Sequence, residues 1–76
     1  MAKPSPSYAG ADTLVALGGA IRRERKKKGI SQEQLALSAD LDRSYVGGVE
    51  RGEHNLTIMT IVKLADALKV NPRELL

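Results

Sequence analysis

Seventy-six residues without a cysteine hold one small domain, with neither a disulfide framework nor a thiolate zinc site to reinforce its core. Twelve Lys and Arg against nine Asp and Glu leave a net charge of +3, a mild excess whose distribution matters more than its size. The longest uncharged apolar-leaning stretch, Thr13 to Ile21, is too short to span a bilayer and contains two glycines, and Met1 to Gly10 lacks a signal-peptide apolar region; a soluble cytoplasmic protein with no membrane partner is expected.

Residues 1–10 hold two of the three prolines together with serine and glycine, a composition that neither packs nor continues a helix, so they read as a flexible tail before a domain over 11–76. From Ala11 the chain reads as helices. Leu14, Leu17 and Ile21 recur at helical spacing, and Gly29 is placed to end the first helix near Lys28. Six of the seven residues from Arg22 to Lys28 are basic. Such a run suits a polyanion, but a charge run on a helix is by itself a solvated face.

Ser31-Gln32-Glu33-Gln34 has the form of a capping box and predicts a second helix from Gln32 to about Ser38, with Leu35, Ala36 and Ala39 turned inward. Asp40 tolerates a left-handed turn conformation, and Asp42 is an N-cap for a third helix over about Arg43 to Arg51, closed by Gly52, with Val46 and Val49 inward and Leu41 packing the turn. Thr57 can cap a fourth helix whose apolar stripe is Ile58, Ile61, Val62, Ala65 and Leu68. Asn71-Pro72-Arg73-Glu74 then opens a fifth helical turn through Leu75 and Leu76. No segment alternates like a strand. The expected fold is all-α, a compact bundle of five helices.

The second and third helices, joined by a turn of about four residues, have the geometry of a helix-turn-helix, in which the second helix lies in the major groove of DNA. Arg43 and Ser44 sit on the first turn of that helix, where side chains reach base edges, and an arginine can donate a bidentate pair to guanine O6 and N7. Gly47 and Gly48 depart from this picture. Each costs a helix on the order of 1 kcal/mol relative to alanine, and together they leave the middle of the reading helix without side chains. Specificity would then lean on Arg43, Ser44 and DNA shape.

Three segments together, Ser31-Gln32-Glu33-Gln34-Leu35-Ala36, Asp42 to Gly52, and Asn55-Leu56-Thr57, resemble the phage-repressor/Cro-like (XRE) helix-turn-helix family, with a lambda-repressor-like DNA-binding domain, over about Leu14 to Leu76. Within it, Arg43-Ser44-Tyr45-Val46-Gly47 is most similar to the controller proteins of restriction–modification operons, small dimers that both activate and repress transcription. In two respects the chain departs from the family: Asp40 stands where a turn glycine is common, and Gly47 and Gly48 sit inside the reading helix.

The resemblance implies a sequence-specific regulator of transcription, binding double-stranded DNA at a pseudo-palindromic operator as a homodimer. RNA polymerase would be a further partner, no cofactor is implied, and the setting would be the nucleoid of a bacterial or phage-infected cell. Two-fold pairing would set two reading helices about one DNA turn apart, roughly 34 Å. Carried over residue by residue, Arg43 and Ser44 would read bases and Gln32 would clamp a phosphate at a helix N-terminus. Arg51 and Asn55 would hold the sugar-phosphate backbone, and Tyr45 either contacts phosphate or packs. Arg25 and Glu50 would form an ion pair tying the first helix to the third. Leu68, Val70, Leu75 and Leu76 would contribute the subunit contact.

Other functions find less support. His54, the only histidine, has no partners for a metal site and reads as a solvated loop residue, and no nucleophile–base–orienter set can be assembled, so no enzyme is expected. RNA recognition through the basic run would lack stacking aromatics, as there are two tyrosines and no Phe or Trp. An antitoxin-like or adaptor module of the same fold, binding chiefly another polypeptide, remains open beside the DNA-binding reading.

Overall fold

A computed structural model describes residues 10–76; apart from Gly10, the expected tail lies outside the described residues. Four α-helices follow one another: α1 (Asp12–Lys27), α2 (Gln32–Ala39), α3 (Arg43–Glu50) and α4 (Ile58–Leu68). No strand occurs among the described residues.

Each helix starts or stops where the local chemistry dictates. The acidic Asp12 opens α1, and Arg25, Lys26 and Lys27 end it, which suits both poles of the helix dipole. Gly29, at φ +69°, then turns the chain. In α2 the Ser31 hydroxyl accepts from the Gln34 amide at 3.0 Å while Gln34 Oε1 accepts from the Ser31 amide at 2.7 Å. Asp40 closes α2 in the left-handed conformation, φ 57°. At α4 the Thr57 hydroxyl accepts from the Thr60 amide at 3.1 Å.

Expectations about the helices fail at three places, each for a physical reason. The fifth helix is a single 3-10 turn over Pro72–Leu75. Four residues cannot propagate the α-helical register, so the turn tightens to i→i+3 bonds, from the Glu74 amide to the Asn71 carbonyl and from the Leu76 amide to that of Arg73. Asp42 begins α3 without a side-chain cap; its carboxylate instead accepts from the Ser44 hydroxyl at 3.3 Å. On α4 the inward stripe is Ile61, Leu64, Ala65 and Leu68, whereas Ile58 is 71% exposed and Val62 is half-buried. The first turn of α4 overhangs the core, and Leu64 completes the i, i+3, i+4, i+7 set that starts at Ile61.

The core joins all four helices: Leu17, Ala20 and Ile21 from α1, Leu35, Ala36 and Ala39 from α2, Val46 and Val49 from α3, and the α4 stripe, with Leu75 folded over one end. Burying each of the large members, such as Ile21, Leu35, Leu64 and Leu68, contributes about 1.5–3 kcal/mol. Of the four residues expected at a subunit contact, Leu68 and Leu75 are 1% and 3% exposed and pack within their own protomer. Val70 is half-buried against the core and Leu76 is exposed.

Candidate nucleic-acid interface

The α2–α3 unit is short and tightly turned. After Asp40 the Leu41 amide bonds back to the Ala36 carbonyl at 2.8 Å, and Leu41 packs on the core, which fixes where α3 sets out. From the opposite side α1 approaches α3 without a spacer. A Cβ on Gly18 would run into the carbonyl oxygens of Val49 and Glu50, so only glycine permits this contact. The sequence gives no sign of it beyond a glycine inside a helix.

One carboxylate then locks three elements. Arg25, from α1, donates from Nε to Glu50 Oε2 at 2.7 Å and from Nη2 to Oε1 at 3.1 Å. Gln32, the first residue of α2, donates to the same Oε1 at 3.0 Å. Arg25 also donates from Nη1 to the Ile30 carbonyl at 2.9 Å, which pins the α1–α2 turn. Burial pushes the Glu50 carboxyl up, but the bonds from Arg25 and Gln32 and the positive charges of Arg25 and Arg22 outweigh it and hold the group below its ordinary range. The Arg25 guanidinium is raised in turn, chiefly by its bond to Glu50. Within the basic run, therefore, Arg25 is spent on the fold, while Arg22, Arg23, Lys26, Lys27 and Lys28 stay exposed.

Held this way, α3 turns its first residues outward: Arg43 and Ser44 are exposed, and Tyr45 is half-buried. Gln32 and Arg51 come together over Gly47, where a Cβ would lie 3.2 Å from Arg51 Nη1 and 3.5 Å from Gln32 Oε1. In the unbound chain Arg51 is engaged by Glu53, donating from Nε at 2.8 Å and from Nη2 at 3.2 Å. Asn55 is exposed and shares a shallow depression with Ala11, Thr13, Leu14 and Leu56, at a distance along the chain from the first turn of α3. Tyr45 stacks on His54, with ring centroids 4.8 Å apart and planes inclined by 31°. His54 is thus half-buried against α3 and not a solvated loop residue, because the glycine at 48 leaves room for its ring.

Residues 21–75 match the helix-turn-helix family. The chain belongs to that family. Among its relatives, the control protein C.BamHI of Bacillus amyloliquefaciens is 42% identical over 60 residues, covering 78% of this chain and 74% of the relative. The crystal structure of the restriction–modification controller protein C.AhdI from Aeromonas hydrophila is 56% identical, with a TM-score of 0.81 over 83% of this chain and 96% of that one. The controller C.Esp1396I, solved as a tetramer in complex with its natural 35 base-pair operator, is 36% identical, with a TM-score of 0.77 over 80% of each chain. In this helix-turn-helix, α2 is the first helix of the motif and α3 the second, the one that carries Arg43 and Ser44.

Proposed function

We propose that this chain is a transcription regulator of the restriction–modification controller type, which binds a pseudo-palindromic operator in double-stranded DNA as a homodimer. Each copy lays α3 in the major groove, with Arg43 and Ser44 on the base edges. Gln32, Arg51, Asn55 and Tyr45 face the sugar-phosphate backbone. The observation that carries this reading is the pairing of an exposed Arg43–Ser44 turn with a buried Arg25–Glu50–Gln32 joint at the other end of the same helix. A reading helix must keep its orientation when it meets a polyanion, and the joint fixes that orientation while covering the one α3 carboxylate that would repel phosphate. The relatives named as controllers support the same conclusion.

Regulation of transcription adds RNA polymerase as a partner and places the protein at the nucleoid. The direct test titrates salt against affinity for a selected operator and for random duplex. Neutralising Z phosphates gives a log–log slope near −0.9Z for B-DNA, with the operator bound more tightly throughout. Salt-insensitive or undetectable binding to both would overturn the proposal.

A second reading rests on exposed apolar side chains: Leu37 on α2 is 84% exposed, and Ile58 and Met59 on the first turn of α4 are 71% and 64% exposed. They suit an antitoxin-like or adaptor module that binds another polypeptide. In that case the same titration would show no preference for any duplex sequence.

A further inference from the structure

The middle of α3 lacks side chains of its own, yet it is covered. Gly48 stands one helical turn beyond Ser44, at i+4 on the same outward side of the helix. A Cβ built there would lie 2.5 Å from Nε2 and 2.7 Å from Cδ2 of His54. The imidazole therefore occupies the place from which a side chain at 48 would project. Gly52, at φ +77°, turns the chain back after α3, and the Glu53 amide bonds to the Gly48 carbonyl at 2.9 Å, so the loop is pinned to the helix it covers. Tyr45 supplies the stack that orients the ring.

We infer that His54 is a base-reading residue, delivered to α3 by the following loop in place of a side chain at position 48. Its target is the N7 acceptor of a purine at the major-groove edge, beside the base pair met by Ser44. The inference rests on the proposed DNA-binding function. A neutral imidazole carries one N–H donor and a protonated one carries two. Adenine and guanine both present N7 in the major groove, so the contact selects purine without distinguishing the two. Stacking on Tyr45 limits the ring's freedom, which favours a directional contact over a loose one.

This assignment also accounts for Gly48. An alanine would favour the α3 helix, but its Cβ would displace the His54 ring from the groove-facing surface.

The test measures the affinity of the full chain for its selected operator and for duplexes substituted in turn at each half-site position, at fixed salt. The proteins compared are wild type, His54→Ala, His54→Phe, Gly48→Ala and Arg43→Ala. His54→Phe keeps an aromatic ring to stack on Tyr45 and removes the donor. Both His54 variants are expected to bind the operator about tenfold more weakly and to lose discrimination at one base pair different from the one lost in Arg43→Ala. Gly48→Ala should match them, and a 7-deazapurine at that base pair should weaken wild type while leaving His54→Ala unchanged. Full discrimination by His54→Phe, or a uniform loss at all positions in His54→Ala, would overturn the inference. If Arg43→Ala alone loses discrimination, His54 falls and the DNA-binding function stands; if wild type itself shows none, both fall.

Discussion

Arg25 donates to both carboxylate oxygens of Glu50, and the two side chains keep only 11% and 2% of their surface. This pair spans the interior between α1 and the carboxyl end of α3, so the helix that presents Arg43 is oriented from its far end. Removing one member leaves a buried charge without its partner, which costs about 3–5 kcal/mol. Arg25→Ala should therefore lower the melting temperature by about 4–8 °C for each kcal/mol lost, as followed by circular dichroism. An apolar pair of similar volume, Arg25→Met with Glu50→Leu, should recover most of the loss, because the desolvation of both charges disappears with them.

The same pair sets an acid limit. Folding lowers the Glu50 carboxyl from its ordinary value of 4.5, so its contribution to stability is present in full above that value and is lost as pH falls through the folded-state value. Below about pH 4.5, wild type should destabilise more steeply than Glu50→Gln. Denaturant midpoints measured from pH 7 down to pH 3 check this, and equal slopes for the two proteins would contradict it.

Two adjacent glycines of α1 should respond oppositely to alanine. Gly18→Ala drives a methyl into the backbone oxygens of Val49 and Glu50, and overpacking of this kind costs typically about 1–3 kcal/mol. Gly19 has open space where a Cβ would go, so Gly19→Ala should stabilise by about 0.5–1 kcal/mol through helix propensity. Urea denaturation of the two variants is a sufficient check.

How much of this was legible in the sequence depends on whether the cause is local. The ends of α2 could be read because Ser31, Gln34 and Asp40 act within one turn of the backbone they satisfy. The start of α4 could be read at Thr57 for the same reason. Asp42 shows the limit of such signals, since its carboxylate had a competing local partner in Ser44. The inward face of α4 is legible only in part: the apolar stripe picks out Ile61, Ala65 and Leu68 but passes over Leu64 and takes in the half-buried Val62 and the exposed Ile58, because periodicity does not say where a helix leaves the core. Among contacts between separate elements, the Arg25–Glu50 pair is expected from the family resemblance alone, whereas Gly18 against Val49 and Glu50, and His54 across Gly48, exist only once α1, α3 and the loop are assembled.

Glu53 holds Arg51 away from other anions in the unbound chain. Glu53→Gln should release that guanidinium, strengthen binding to all duplexes alike and steepen the salt dependence by about 0.9 in log–log slope, the increment for one more phosphate contact. Anisotropy titrations on operator and random duplex at several salt concentrations measure both effects. A gain confined to the operator would show that Arg51 reads sequence and not backbone.

Arg43→Ala and Gln32→Ala should separate base reading from backbone clamping. Loss of a bidentate guanine contact removes about 1–3 kcal/mol of discrimination at one position, whereas loss of a phosphate clamp weakens every sequence by a similar factor. Equal losses on operator and random DNA for both variants would refute direct readout by Arg43.

Selection of bound sequences from random duplex DNA tests the central claim most directly. The account predicts enrichment of an inverted repeat whose half-site centres lie about 10 base pairs, or a multiple of one helical turn, apart, and degradation of its most constrained guanine position when Arg43→Ala is used for selection. Enrichment of no sequence, or of the same sequence to the same degree by wild type and Arg43→Ala, would contradict it.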